Sequence, residues 1–323
     1  GCAKKNGFCP SDAARPLIVM DTCSYALSTS RVFSHRGAGL RNEDPFMSEQ
    51  QLRALHAAGV THFDLDLFWT VPEERWPLGR LFVGHPVELR QSWSRLPWLN
   101  QSRSWRHNHS IFELTADEAM RASDYSLLSV PRLLQLVKAL SPPLVLALDL
   151  KGGQRPGYVE QLAWLARQVV NRQLQHLVWI WLTNTHTVRD VRAAEKIAVR
   201  ASGGVRPAHL RVGRVLPDVG APRVKGMPDC AANLHMVDAS QFEFLGPSFR
   251  CLNMALLTRL HQIQVPLKNL LVWTVDTPAQ LWQALQFGVG SVVSNAPLEM
   301  LSNLSSARER ATGCDQHARC CAL

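Results

Sequence analysis

Leu144-Val145-Leu146-Ala147-Leu148-Asp149-Leu150-Lys151 is an apolar run that ends on a carboxylate and an ammonium. A run of this length and composition reads as a β-strand. Amphipathic stretches flank it, 130–140 before and 158–170 after, and both read as helices. The same alternation extends outward in both directions. Strands are expected at 32–37, 62–67, 144–150, 177–182, 210–216, 234–238, 270–275 and 291–294. Further helices are expected at 49–58, 188–201, 253–263 and 278–287. Strands that alternate with helices predict a parallel sheet. Eight such units in a chain of 323 residues predict a closed (β/α)₈ TIM barrel, with a doubly wound open sheet as the alternative.

Two pieces break the alternation. Leu81–His85 follows the second strand closely and reads as its hairpin partner. Residues 86–128 form a long insert rich in Trp and Arg, and inserts of that length serve as lids or binding loops. The expected organisation is an N-terminal Cys-containing tail over 1–28, a barrel over 29–304 and a C-terminal Cys-containing tail over 305–323.

Bulk properties narrow the setting. Hydrophobic residues make up 46% of the chain, enough for a large core. The formal net charge of +9 favours anionic partners, a phosphate substrate or a phospholipid surface among them. No dense Lys/Arg run or nucleic-acid-binding motif is present, so nucleic acid is not an expected partner. Eight cysteines cluster at the two ends and in one middle pair, Cys230 and Cys251, and none has zinc-type C-x-x-C spacing. Glycosylation triplets start at Asn100, Asn108 and Asn303. Together these predict a disulfide-bonded glycoprotein of the secretory pathway, extracellular or lumenal, with a membrane surface within its reach. The start lacks an initiator Met, which fits a removed signal segment or an excerpt of a longer chain. Cys320-Cys321-Ala322-Leu323 matches a prenylation box formally, but that modification requires the cytosol.

Four strand-end pieces carry the chemistry: Ser34-His35-Arg36-Gly37, Asp64-Leu65-Asp66, Gly84-His85-Pro86 and Asp149-Leu150-Lys151. In an α/β barrel the C-terminal ends of the strands face the active site. Asp64 and Asp66 are two apart and share a strand face. With Asp149 they form an oxygen-only set suited to Mg²⁺ or Ca²⁺ rather than Zn²⁺. His35 and His85 are the candidate proton movers. Arg36 and Lys151 can hold phosphate oxygens. Trp273 is a candidate pocket-lining residue, whereas Trp179 and Trp181 read as packing. The chain has no G-x-S-x-G elbow and no strand-following G-x-G-x-x-G, which disfavours serine hydrolases and dinucleotide binding.

These pieces resemble, in order over 30–300, the glycerophosphodiester phosphodiesterase family of phospholipase-C-like barrels. His35-Arg36-Gly37-Ala38 matches its His-Arg-Gly signature, and Asp64-Leu65-Asp66 is similar to its Glu-Leu-Asp metal pair. The stretch from Gly79 to His85 is similar to the one ending in its second histidine. Ser129-Val130-Pro131 resembles the helix start before its third strand. Leu148-Asp149-Leu150-Lys151 is similar to its Glu-Ile-Lys, and Trp273-Thr274-Val275-Asp276 to its Trp-Thr-Val-Asn. The resemblance implies a TIM barrel and a divalent metal held by Asp64, Asp66 and Asp149. It implies general acid-base catalysis by His35 and His85, with Arg36 and Lys151 on the phosphate. The substrate it implies is a glycerophosphodiester or lysophospholipid, hydrolysed after attack by a substrate hydroxyl. The family's Pro-Glu-Asn-Thr is represented by Asn42-Glu43-Asp44-Pro45 in altered order, which carries Glu43 over as an accessory residue. Two Glu ligands are Asp here, and Val71–Pro77 is inserted. Menorin-like proteins share the His-Pro and Leu-Asp-x-Lys patterns. Two alternatives accompany the hydrolase reading: a catalytically silent barrel that binds lipid head groups, glycans or a protein, and a lyase that forms a cyclic phosphate from a lysolipid or sphingolipid.

Overall fold

The computed structural model describes residues 30–37, 47–86, 89, 113–151, 157–182, 188–201, 210–216, 234 and 238–313. Its strands are β1 (Arg31–His35), β2 (His62–Trp69), β3 (Leu81–Val83), β4 (Val145–Leu150), β5 (Val178–Leu182), β6 (Arg211–Leu216), β7 (Phe244–Pro247), β8 (Leu271–Trp273) and β9 (Ser291–Ser294). Its α-helices of the described residues are α1 (Glu49–Ala57), α2 (Ala116–Ala122), α3 (Val130–Ala139), α4 (Tyr158–Asn171), α5 (Val188–Ala201), α6 (Met254–Gln262), α7 (Pro278–Gln286) and α8 (Pro297–Gly313).

Eight strands run parallel in the order β7-β6-β5-β4-β2-β1-β9-β8, and β3 pairs antiparallel with β2 as the expected hairpin. Parallel bridges Leu245↔Leu270 and Ser248↔Trp273 join the two ends of that order. The sheet therefore curls into the (β/α)₈ barrel, and the open doubly wound alternative is excluded.

Strand alternation sorts the core into two layers. Residues such as Leu65, Leu67, Leu146, Leu148, Leu150 and Ile180 face outward and pack with the helices. Their neighbours point inward, where Phe33, Ala147, Trp179, Trp181, Phe244, Leu271 and Val293 plug the barrel. Aromatic rings of this size fit because glycine stands opposite them. A Cβ on Gly213 would lie 2.0 Å from the Phe244 ring, and one on Gly246 would lie 2.5 Å from the Trp181 ring.

Local signals fix the helix starts. Ser48 with Gln51, Thr115 with Glu118 and Thr277 with Gln280 form capping boxes. Asn253 caps α6, and Pro131 sits in the first turn of α3.

Two expectations need correction. The strand expected at 234–238 is replaced by Phe244–Pro247: Leu234 is helical, and Asp238 caps a 3₁₀ turn by accepting from the Ser240 amide at 3.2 Å. The true strand ends in Gly246-Pro247, a pair that disguises it, because Pro cannot donate to a ladder and Gly weakens a strand interior. The tail boundary expected at 304/305 falls inside α8, which continues to Gly313 with Leu304 and Ala307 buried. The tail over 1–28, most of the insert and the last ten residues lie outside the described residues.

Candidate functional site

Strand register brings the expected residues to one mouth. His35, last in β1, pairs with Asp64 of β2, and Asp66 pairs with Asp149 of β4. Beyond β1 the chain turns through Arg36 and Gly37, both with positive φ, while the Arg36 amide donates to the Asp64 carbonyl at 2.7 Å. Only a few per cent of non-glycine residues adopt that backbone conformation, and here it swings the guanidinium over the barrel. Arg36 Nε lies 2.8 Å from Asp66 Oδ2. Lys151, tied by its amide to the Leu67 carbonyl, lies 2.8 Å from Asp66 Oδ1 and also pairs with Asp149 Oδ2. The hairpin delivers His85, because the amide of Gly84 donates to the Asp66 carbonyl at 2.9 Å.

The electrostatics follow from burial and crowding. Burial, reinforced by Asp66 and Asp149, pushes the Asp64 carboxyl up to about 8. Asp149 is raised to about 6, chiefly by burial, with Lys151 opposing. Burial also works against charge on Asp66, but Lys151, Arg36 and His85 outweigh it and hold that carboxyl below its ordinary range. Lys151 is raised, since Asp149 and Asp66 overcome its own burial. Burial lowers His85 to about 4, with Asp66 opposing and Arg36, Lys151 and His35 assisting. His35 is lowered by burial and then by Arg36. Both imidazoles are therefore neutral at pH 7, and each belongs to the same charge cluster.

Three partners were not singled out from the sequence. His35 Nδ1 lies 2.7 Å from Asn295 Oδ1. Asn295 in turn donates from Nδ2 and from its amide to the Asp276 carboxylate, at 2.9 and 2.7 Å. A carboxylate only accepts, so the amide NH₂ of Asn295 must face Asp276 and its oxygen must face His35. His35 Nδ1 then carries the proton, and Nε2 keeps the lone pair. The third partner is Trp181, whose indole donates to Asp64 Oδ1 at 3.0 Å, beyond the packing role read from the sequence. A polar residue just after the last strand was the available signal for Asn295, and Asp276 closes the quoted Trp-Thr-Val-Asp motif. Trp273 stands at the end of β8, half-buried beside the interior aromatics, with its indole donating to the Gly246 carbonyl at 2.7 Å. Glu43 lies outside the described residues.

The donor set suits a hard divalent cation in kind. Asp64 is raised by burial first and by the two carboxylates beside it second, and Asp149 Oδ1 is buried without a hydrogen bond among the described residues. Added positive charge would relieve both. The carboxylates are at the same time partly satisfied from within, by Arg36 and Lys151. Among the described residues no group of three or more His, Cys, Asp or Glu stands in a ready metal-coordinating arrangement. A cation at this mouth would share Asp66 and Asp149 with Lys151.

An α/β barrel with imidazoles, carboxylates and cations at the C-terminal ends of its strands defines a class of molecule, and comparison extends the likeness. No family model matches the chain, and no curated protein matches it. Solved structures do. A glycerophosphodiester phosphodiesterase from Parabacteroides distasonis superposes with a TM-score of 0.55 at 18% identity, covering 87% of this chain and 98% of that one. An Oleispira antarctica phosphodiesterase in complex with the product sn-glycerol-3-phosphate gives 0.53 at 13% identity, over 87% and 99%. The glycerophosphodiester phosphodiesterase of Thermotoga maritima gives 0.52 at 11%, over 84% and 96%. At these identities the likeness establishes a shared fold.

Proposed function

We propose that this chain is a phosphoric diester hydrolase acting on glycerophosphodiesters or lysophospholipids. One observation carries the reading: His35, His85, Arg36, Lys151 and the carboxylates of Asp64, Asp66 and Asp149, drawn from β1, β2, the hairpin and β4, form a single electrostatic cluster at the mouth of the barrel. The structural neighbours named as phosphodiesterases support it.

In this account His35 Nε2 is the base. It removes the proton from the attacking substrate hydroxyl, a step that leaves a cyclic phosphate which water must then open to complete hydrolysis, while Asn295 and Asp276 hold the ring and favour the imidazolium that forms. His85 protonates the departing oxygen. Its low affinity for protons means that it acts only after the anionic substrate raises that affinity. Arg36 and Lys151 bind the non-bridging oxygens by exchanging contacts with Asp66 for contacts with phosphate. Asp64, Asp66 and Asp149 would hold Mg²⁺ or Ca²⁺, which when bound would supply stabilisation of charge on the phosphoryl oxygens.

The compartment reading remains a secreted or lumenal glycoprotein. Cys251, fully buried, is engaged in a disulfide, and this supports an oxidising environment. The triplet at Asn303 is a poor acceptor, since its amide donates to the Glu299 carbonyl within α8 at 2.9 Å. The triplets at Asn100 and Asn108 lie outside the described residues. No described helix is long and apolar enough to cross a membrane.

A second reading has its own observation. Arg36 and Lys151 already pair with Asp66 and Asp149, as they would in a silent binding barrel. Turnover decides between the two. Glycerophosphocholine and lysophosphatidylcholine are incubated with the full chain in Mg²⁺, Ca²⁺ or chelator, and the phosphorus products are resolved. Hydrolysis that stops on chelation is the expected result. A persistent cyclic phosphate would instead assign the lyase, and no turnover under any condition would leave the binding barrel.

A further inference from the structure

The mouth opposite the catalytic cluster holds a cavity of about 230 Å³, at the N-terminal ends of the strands. Arg31 opens β1, Arg211 opens β6, Glu243 immediately precedes β7, and Lys268 lies in the turn before β8. The interior plug, including Phe33, Trp179, Phe244 and Val293, separates this cavity from the strand ends that carry His35 and Asp149. The two sites share no residue.

Its lining chemistry marks it as built to receive an anion. Its lining carries three cations and one carboxylate, an excess of two positive charges in one concave space. Arg31 and Lys268 pair with no carboxylate among the described residues. Arg211 is fixed in place: its Nε donates to Glu243 at 3.0 Å and its guanidinium stacks 4.3 Å above the Trp179 ring, leaving its terminal nitrogens without another acceptor among those residues. The backbone holds the cations together. The Arg31 amide donates to the Gly290 carbonyl at 3.2 Å, and the Gly290 amide donates to the Leu267 carbonyl at 3.3 Å. A Cβ on Gly290 would lie 2.0 Å from the Lys268 carbonyl oxygen, so only glycine lets the Lys268 turn close against β9. Finally, Trp179 is 96% buried, yet its indole N–H finds no acceptor among the described residues.

We propose that this basal cavity binds a small phosphate monoester. Arg31, Arg211 and Lys268 would match its dianionic head, the Arg forks in the bidentate manner that phosphate favours. Trp179 and Phe244, which also line the cavity, would pack against the carbon chain of its alcohol.

Calorimetric titration of the full chain with glycerol phosphate tests this. The wild type is expected to bind one equivalent at the base in addition to any bound at the catalytic mouth. Arg31→Gln/Lys268→Gln is expected to lose one equivalent, or to bind it at least tenfold more weakly, with phosphodiester hydrolysis unchanged. Lys268→Glu alone, at an exposed side chain, is expected to weaken the same equivalent if the double variant folds poorly. Unaltered stoichiometry and affinity in these variants would overturn the proposal. Failure of the hydrolase reading gives a different pattern, since the basal equivalent would still appear and would still depend on Arg31 and Lys268.

Discussion

Asn295 decides which nitrogen of His35 carries its proton, although 260 positions separate the two residues along the chain. On the proposed mechanism, Asn295→Ala is expected to lower kcat by about 10- to 100-fold with little change in KM, because the ring of the proposed base His35 loses its orientation while the proposed phosphate contacts remain. Steady-state kinetics with glycerophosphocholine would read that split. His62, at the base of the barrel, offers a test by pH. Burial, helped by Arg31, lowers its pKa to about 4, so the folded state resists a proton that the unfolded chain accepts near pH 6.5. Its contribution is complete above that value and is lost as pH falls toward 4. Urea unfolding of His62→Gln at pH 7 and pH 4.5 should show a loss between the two that is smaller than the wild type's by roughly 1–3 kcal/mol. At this scale the sequence displayed the strand-end residues His35, Asp64, Asp66 and Asp149, since each interrupts or closes an apolar run. Asn295, Asp276 and Trp181 act through partners on other strands, and no local pattern records such pairings.

The β2–β3 hairpin carries His85 to the mouth, and its turn depends on Gly79. That residue has a φ of +79°, and a Cβ there would lie 2.2 Å from the Thr70 carbonyl oxygen. Gly79→Ala is expected to destabilise the fold by about 1–3 kcal/mol and to reduce activity through displacement of His85. Thermal unfolding and kcat, measured on the same preparation, would check both effects. Elements with strong local signals were legible: the helix over 49–58 follows from its amphipathic period, and the hairpin from a short apolar run close behind the second strand. The strand Phe244–Pro247 escaped notice because its pairing with β6 is imposed by the barrel against the preferences of Gly and Pro.

Closure of eight parallel strands gives the molecule two unlike mouths. One gathers acids, imidazoles and cations around a shared centre, and the other is a basic recess. The alternation of strands and helices predicted this architecture, yet the internal pairing of Arg36 and Lys151 with the carboxylates was beyond sequence reading, because it depends on side-chain reach across strands. That pairing makes the role of the two imidazoles the point to test. The direct measurement is kcat for glycerophosphocholine in the wild type, His35→Ala, His85→Ala and the double variant. Acting as one acid-base unit, each single change should cost about 10²- to 10⁴-fold, and the double variant should be little worse than either. Single variants that keep more than a tenth of wild-type turnover, or losses that multiply in the double variant, would contradict the account.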